Sequence, residues 1–191
     1  MKKATRIIKV ILIMSFLPMA GWAQQVLSLD KSESKLSITG TSTLHDWEII
    51  VNDFNGKVEG NFNITKPGIS SAQLNCKVKS FESGKSRMDN VVYDALKQEK
   101  HPEIKFKYKN IKQMTTNGNN LEMVVVGDLT IAGQTREMEI PLEAQASTSR
   151  FVAKGQKSFK MSEFEVDPPS VMFGTIKAGD KSTVNYSIIY N

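Results

Sequence analysis

Apolar and polar residues alternate along most of the chain from residue 35 onward. In EIKFKYKN, Ile104, Phe106 and Tyr108 alternate with charged or polar residues, and the same alternation runs through KVEGNFNIT, AQLNCKV, REMEIPLEA and STVNYSIIYN. Strict alternation is typical of a strand with one dry and one wet face, and such strands usually pair antiparallel. It predicts about nine strand segments, at residues 35–40, 45–54, 56–65, 70–79, 103–110, 121–131, 136–144, 150–160 and 181–190. Regularly spaced strands of this kind predict a sandwich or a barrel.

Two segments depart from this alternation. LEMVVVGDLTI is apolar on its second face at Val124 and Val126, so that strand is predicted to be covered on both sides. SRMDNVVYDALKQEKHP instead places its apolar residues at helical spacing and ends at Pro102, which predicts one short helix over residues 87–98, with Ser86 and Asp89 as a weak capping-box match.

The first 23 residues have the organisation of a secretory signal peptide. Lys2, Lys3, Arg6 and Lys9 form a basic head, VILIMSFLPMA is an uncharged apolar run, and small residues precede a predicted cleavage after Ala23. The apolar run is shorter than the roughly 20 residues that a membrane-spanning helix needs. Residues 24–191 are therefore predicted to form one exported domain without a transmembrane segment, located in a periplasm or secreted.

Charge and cysteine content argue against a nucleic-acid-binding protein and exclude a disulfide within the chain. The whole chain carries a net charge of +5, but its four basic head residues leave 21 basic against 20 acidic residues in the remainder, a net charge of +1. This balance does not predict the basic surface that nucleic-acid binding needs. Cys76 is the single cysteine of the sequence, so a disulfide within the chain is excluded.

No arrangement of side chains predicts catalysis or metal binding. His45 and Asp46 are neighbours in a predicted strand, where adjacent side chains point to opposite faces, so they are not expected to form a dyad. His45 and His101 are far apart and show no metal-ligand spacing. Cys76 lies on an apolar face, where a thiol is usually an inert small hydrophobe. We therefore expect a protein that is not an enzyme and has no metal site.

Four ordered stretches resemble the YceI-like family. SKLSITGTSTLHDWEIIVNDFNGKVEG resembles its opening, SGKSRMDNVVYDALKQEKHPEIKFK its central motif, VVGDLTIAGQTREMEIPL its most specific hairpin, and MSEFEVDPPSVMFGTIKAGDKSTVNYSI its ending. The resemblance covers essentially all of residues 24–191. It implies an all-β fold, a single antiparallel lipocalin-like barrel with one short helix, in an exported protein. Some members of the family bind a polyisoprenoid chain lengthwise inside the barrel.

A barrel of about eight strands can either fill its interior with side chains or hold one small ligand. Alternation alone leaves both open, and the resemblance favours the hollow form. The expected function is binding of a long apolar lipid, a polyisoprenoid or isoprenoid quinone, for carriage or storage; the alternative is a secreted structural or interaction protein with a filled barrel. No other cofactor is expected, and a homodimer stays open. The predicted ligand-binding residues are Trp47, Ile49, Val51, Phe62, Leu74, Phe106, Tyr108, Val125, Ile140 and Tyr186.

Overall fold

The computed structural model describes residues 24–62, 68–118 and 120–191. The predicted signal peptide at 1–23 and the end of the strand predicted at 56–65 lie outside these residues. Within them the chain forms twelve strands and one α-helix, α1, at Ser86–Ala95. The strands are β1 (Gln25–Ser28), β2 (Lys35–Ser42), β3 (Trp47–Val51), β4 (Phe54–Asn61), β5 (Gly68–Lys77), β6 (Phe81–Glu82), β7 (Glu103–Asn117), β8 (Asn120–Ile131), β9 (Gln134–Ser147), β10 (Arg150–Lys160), β11 (Ser170–Val171) and β12 (Ile176–Tyr190).

All pairings between these strands are antiparallel. Eleven strands follow one path, in the order β1-β4-β5-β7-β8-β9-β10-β12-β2-β3-β6, and β11 pairs with β12. The sheet curls into an open half-barrel with β1 and β6 at its edges. The all-β, antiparallel prediction with one short helix is confirmed, whereas a barrel of about eight strands is wrong.

The higher strand count has a local cause. The segment predicted as one strand at 45–54 divides into β3 and the start of β4, because the chain turns a corner at Asn52 and Asp53. Backbone bonds from Asn52 N to Ser80 O (3.1 Å) and from Lys77 N to Asp53 O (2.9 Å) hold this corner. The strands β1, β6 and β11 span only two to four residues, too few for alternation to be recognised.

The helix differs from its prediction at both ends. The N-cap residue Lys85 forms no capping hydrogen bond through its side chain, and Asp89 instead accepts hydrogen bonds from the backbone and hydroxyl of Ser83, at 2.7 and 2.6 Å. The predicted Ser86–Asp89 capping box is therefore wrong. The helix ends at Ala95 rather than at residue 98, since Lys97 adopts a positive φ of 54°. None of its residues is fully buried, so α1 covers the sheet without filling the space beneath it.

The strand β8 is covered on both faces, as its sequence predicts. Val125 is 3% exposed and lies on the inner face, while Val126 on the outer face is also buried and Val124 is half-buried. This strand sits between β7 and β9 and pairs with both along nearly its whole length. The wall at β8 is therefore enclosed by a neighbouring strand on each edge.

Candidate functional site: an apolar cavity

The concave face of the sheet and the underside of α1 enclose a cavity of about 530 Å³. Its wall is almost entirely apolar. This volume lies within the range of roughly 300–1,000 Å³ that is usual for small-molecule sites. The lining comes from eleven strands, β2 to β12, and from the helix, and includes Leu36, Ile38, Trp47, Ile49, Val51, Val58, Ile69, Ala72, Leu74, Cys76, Phe81, Met88, Val91, Val92, Ala95, Leu96, Ile104, Phe106, Tyr108, Val125, Leu129, Ile131, Ile140, Leu142, Phe151, Ala153, Phe159, Val171, Val184, Tyr186, Ile188 and Tyr190.

Strand register places the lining side chains in rows across the sheet. Leu74 on β5 pairs with Phe106 on β7, which in turn pairs with Leu129 on β8. Because directly opposed residues share one face of a sheet, the three side chains form a continuous apolar band. Val184, Ile38 and Ile49 form a second band across β12, β2 and β3. Alternation in sequence thus becomes two apolar bands across the wall.

Aromatic side chains form the floor of the cavity. Phe151 and Tyr190 line it, and their ring centroids lie 6.3 Å apart. Phe62 packs beneath Phe151 at a centroid distance of 5.4 Å and is only 1% exposed. The interior is therefore solid below these rings and hollow above them.

The tyrosine hydroxyls are directed away from the hollow interior. The Tyr108 hydroxyl donates to the carbonyl of Ile69 at 3.1 Å, and that of Tyr186 donates to the carbonyl of Pro141. The strands β9 and β10 pair only between Glu143–Ser147 and Arg150–Lys154, so Tyr186 spans the place where they separate. Burial raises the pKa of both phenols. Both residues consequently present ring carbon to the cavity.

Cys76 lies in the same wall, on β5. It is 5% exposed, and burial raises the pKa of its thiol to about 12. A thiol is nucleophilic only as the thiolate, so near neutral pH this side chain acts as a small apolar group. This matches its sequence-based interpretation.

Four of the exposed residues that line the cavity lie in the turn before β3 and at the start of α1, and they mark its mouth. They are Leu44 and His45, in the turn before β3, and Lys85 and Arg87, at the start of α1. The turn is held by Ser42, whose hydroxyl donates to the carbonyl of His45 at 2.7 Å. Trp47 follows at the start of β3, and its Nε1 donates to the carbonyl of Thr41 at 2.9 Å. The mouth therefore combines a tethered aromatic ring with two cationic side chains.

His45 and Asp46 do not lie in a strand, so the predicted strand boundary at residue 45 is wrong. The Nδ1 atom of His45 lies 2.7 Å from the backbone carbonyl of Asp46 rather than from its carboxylate. Both side chains are exposed. The turn thus directs the imidazole to a backbone group, and the arrangement is not a His–carboxylate dyad. Among the described residues, no group of three or more potential ligands is placed to hold a metal ion.

The structure brings nine of the ten predicted ligand-binding residues to the cavity wall: Trp47, Ile49, Val51, Leu74, Phe106, Tyr108, Val125, Ile140 and Tyr186. Phe62 is outside the lining, in the packed floor. Contact of the nine with a ligand stays a prediction. Sequence reasoning missed Ile38, Leu129 and Val184, which carry the same alternation, and Met88 and Val92, which belong to the apolar stripe of the helix.

These features define a β-sheet protein built around an apolar cavity with a polar mouth. The YceI-like domain model matches residues 27–189, and the chain belongs to the YceI-like family. This confirms the resemblance carried by the four sequence stretches. No helix within the described ranges has the length and apolar composition needed to span a membrane.

Solved structures share the fold at low sequence identity. BcnA from Burkholderia cenocepacia matches with a TM-score of 0.70 and 22% identity over 85% of this chain and 99% of that one. A polyisoprenoid binding domain from Saccharophagus degradans, implicated in plant cell wall breakdown, matches with a TM-score of 0.65 and 14% identity over 86% and 97%. The YceI protein of Campylobacter jejuni matches with a TM-score of 0.55 and 16% identity over 100% and 99%. A comparison with curated protein sequences finds no match.

Proposed function

We propose that this protein binds one long apolar lipid, a polyisoprenoid or a quinone-like molecule, in its cavity and carries or stores it outside the cytoplasm. The observation that carries the proposal is the almost wholly apolar wall of a 530 Å³ cavity. Similarity in fold to a polyisoprenoid binding domain supports the same class of ligand.

The energetics favour an apolar chain over a polar ligand. Burial of each CH₂ group contributes about 0.8 kcal/mol, so several isoprene units outweigh the loss of translational and conformational freedom on binding. A polar group in the same place would lose its water without gaining partners, which costs about 1–3 kcal/mol in proteins. The wall therefore selects against polar ligands as well as for apolar ones.

The proposed role is binding rather than catalysis. Cys76 is held neutral, and His45 bonds to a backbone carbonyl at the mouth. Neither residue is placed as an activated nucleophile with a base beside it. Substitution of both by alanine is expected to leave the lipid unmodified and its retention largely unchanged; chemical conversion of the bound lipid that depends on either residue would contradict this.

Export is part of the proposal because a free lipid of this kind cannot cross an aqueous compartment alone. The sequence pattern at residues 1–23 supports cleavage after Ala23 and a periplasmic or secreted location. N-terminal sequencing of the exported protein should begin at Gln24. A mature protein that keeps Met1 would overturn this part of the account.

The ligand proposal can be tested on protein purified without detergent. Native mass spectrometry and solvent extraction should detect one long-chain lipid per chain. Leu74→Asp and Ile140→Lys, which place a charge in the wall, should remove it, whereas Asn75→Asp, next to Leu74 but on the other face of β5, and Lys57→Glu should retain it. Circular dichroism establishes which variants are folded.

A charge inside the wall also threatens folding, so an apolar variant gives an independent test. Ala72 lines the cavity and is half-buried. Ala72→Trp fills space without adding charge and should reduce lipid occupancy while the protein remains folded. Full lipid content in folded Leu74→Asp and Ala72→Trp proteins would show that the lipid is not in this cavity.

A further inference from the structure

Three large apolar side chains project into solvent beside the mouth of the cavity. Leu44 is 64% exposed, Met172 is 61% exposed and Phe173 is fully exposed. Leu44 lies in the turn before β3, and the other two lie at the tip of the β11–β12 hairpin. We define these three residues as the rim patch.

Hydrogen bonds hold the two loops of the rim patch together. The backbone N of Thr43 donates to the carbonyl of Lys177 at 3.0 Å, and the Thr43 hydroxyl donates to the carbonyl of Thr175 at 3.1 Å. The loop that carries Leu44 is thereby fixed beside the hairpin that carries Phe173. The patch is one preformed surface rather than two independent loops.

The hairpin tip has an unfavourable residue at its most exposed position. Met172 has a positive φ of 53°, and the two central residues of the turn, Phe173 and Gly174, have positive φ angles of 54° and 88°; the N of Thr175 donates to the carbonyl of Met172 at 3.2 Å. These are the φ signs and the hydrogen bond of a type I′ turn, which favours Asn-Gly at its centre. A bulky residue with positive φ is uncommon, and full exposure gives Phe173 no packing in return. Folding therefore does not explain phenylalanine at position 173, whereas contact with a partner does.

The rim patch is continuous with the cavity. Leu44 itself lines the cavity, as do Val171 and Ile176, the paired residues directly below the hairpin tip. A lipid that enters or leaves at this point passes the exposed apolar side chains. This inference rests on the proposed function, because the lipid cargo is what directs attention to a membrane.

We propose that the rim patch inserts into the surface of a phospholipid bilayer and places the mouth of the cavity against it. Three projecting side chains are far too few for a stable protein interface, which buries about 800 Å² on each partner. A few apolar side chains at the boundary between headgroups and acyl chains are enough for reversible binding to a membrane. Reversible contact is also what loading and release of a lipid require.

The charges near the mouth fit an anionic membrane surface. Lys85 and Arg87 are exposed at the mouth and form no ion pair within the described part of the chain. Lys177 adds a third positive charge beside Thr43, and Asp46 partly opposes them. Basic groups close to a bilayer are attracted by anionic headgroups, so anionic lipid should strengthen binding.

Vesicle flotation tests the proposal with a substitution that favours the fold. Phe173→Asn places the preferred residue in the turn, so thermal stability should stay equal or rise. Binding to vesicles of phosphatidylethanolamine and phosphatidylglycerol should nevertheless fall about tenfold, the loss expected when one large side chain no longer inserts. Met114→Ser is the matched control, because Met114 is exposed but does not line the cavity. Vesicles of phosphatidylcholine alone should bind the wild type more weakly.

A second measurement reports on the patch itself. The wild type, with its own Trp47 at the mouth, gives the reference signal. In Phe173→Trp, addition of vesicles should shift the tryptophan emission to the blue by more than in the wild type, and brominated acyl chains should quench it more strongly; Met114→Trp should exceed the wild type in neither effect. Undiminished flotation of Phe173→Asn, or a tryptophan at 173 that stays in water, would overturn the proposal. Shielding of that tryptophan only as protein concentration rises would assign the patch to self-association instead.

Two outcomes for the wild type separate this proposal from the proposed function. A wild type that holds lipid in its cavity but does not bind vesicles would contradict membrane docking alone. A wild type that binds vesicles but never holds lipid would contradict the proposed function alone.

Discussion

The indole ring of Trp47 on β3 lies over the backbone of Gly40, its direct neighbour on β2. A methyl group at position 40 would overlap with three atoms of the ring. The ring is also tied by the hydrogen bond from its Nε1 to the carbonyl of Thr41. The missing side chain at Gly40 thus allows the indole to lie against the wall at the mouth of the cavity.

Gly40→Ala should therefore displace the Trp47 ring. Overpacking of this kind typically costs about 1–3 kcal/mol of stability, and the displaced ring should weaken lipid retention. The tryptophan emission and the lipid content of the purified protein report the two effects. Gly68→Ala is the control, since a side chain at 68 meets open space. Equal emission spectra and equal lipid content in the two variants would contradict the role assigned to Gly40.

Phe62→Ala tests the division between the packed floor and the hollow interior. Phe62 is 1% exposed and packs on Phe151, so its loss should cost about 3–5 kcal/mol of unfolding free energy. Leu74→Ala, where the side chain already faces empty space in lipid-free protein, should cost less. Urea unfolding of lipid-free proteins provides both values. A larger loss for Leu74→Ala would show that the interior is packed at that level too.

The corner between β3 and β4 should contribute to stability near neutral pH and lose this contribution at acid pH. Hydrogen bonds from the ammonium groups of Lys31 and Lys77, at 2.5 and 2.7 Å, lower the pKa of Asp53 from 3.8 to about 2. The unfolded chain therefore takes up this proton first as the pH falls, and the stabilisation is present above about pH 4 and lost towards pH 2. Both ion pairs of Asp53 are solvent-exposed, so the effect should be small.

Thermal unfolding of wild type and Asp53→Asn between pH 6 and pH 2 measures this effect. The difference in melting temperature should narrow as the pH falls below about 4. Asp30 and Asp180 also have lowered pKa values, but both variants share them, so they cancel in the comparison. A difference that stays constant down to pH 2 would rule out the proposed linkage.

Alkaline pH should destabilise the protein through its tyrosines. Burial raises the pKa of all four, Tyr93, Tyr108, Tyr186 and Tyr190. The unfolded chain loses these protons first, so the stabilisation is complete below about pH 10 and declines as the pH rises further. Ultraviolet titration should show phenolate formation that coincides with unfolding above pH 10. Tyrosines that ionise at pH 10 in a protein that stays folded would contradict this burial.

Much of the fold is predictable because period-two alternation reports a physical property, one wet and one dry face. The same alternation identifies Leu74, Phe106 and Ile140 as inward-facing. It does not report depth along the sheet: Val58 and Phe62 share a face of one alternating segment, yet Val58 lines the cavity and Phe62 lies in the floor. Depth depends on register between strands that are distant in sequence.

Other features leave weaker local signals. The corner at residues 52–53 is marked by Val51 and Phe54, two buried residues three apart, an odd spacing that breaks the alternation. The two-residue strands β6 and β11 exist only because β3 and β12 pair with them. The turn at His45 is set by the Ser42 hydroxyl, which also accepts hydrogen bonds from the backbone of Leu44 and His45, both at 3.2 Å. Side-chain bonds of this kind override strand propensity over a few residues.

The central claim is that the space above the aromatic floor holds an apolar chain. An experimental density map of protein purified without detergent and without added lipid tests it most directly. We predict continuous elongated density between the Leu74–Phe106–Leu129 band and the Val184–Ile38–Ile49 band, running from the ring of Phe151 towards the mouth at Leu44. A map in which side chains close this space, or in which it contains only ordered water, would contradict the account.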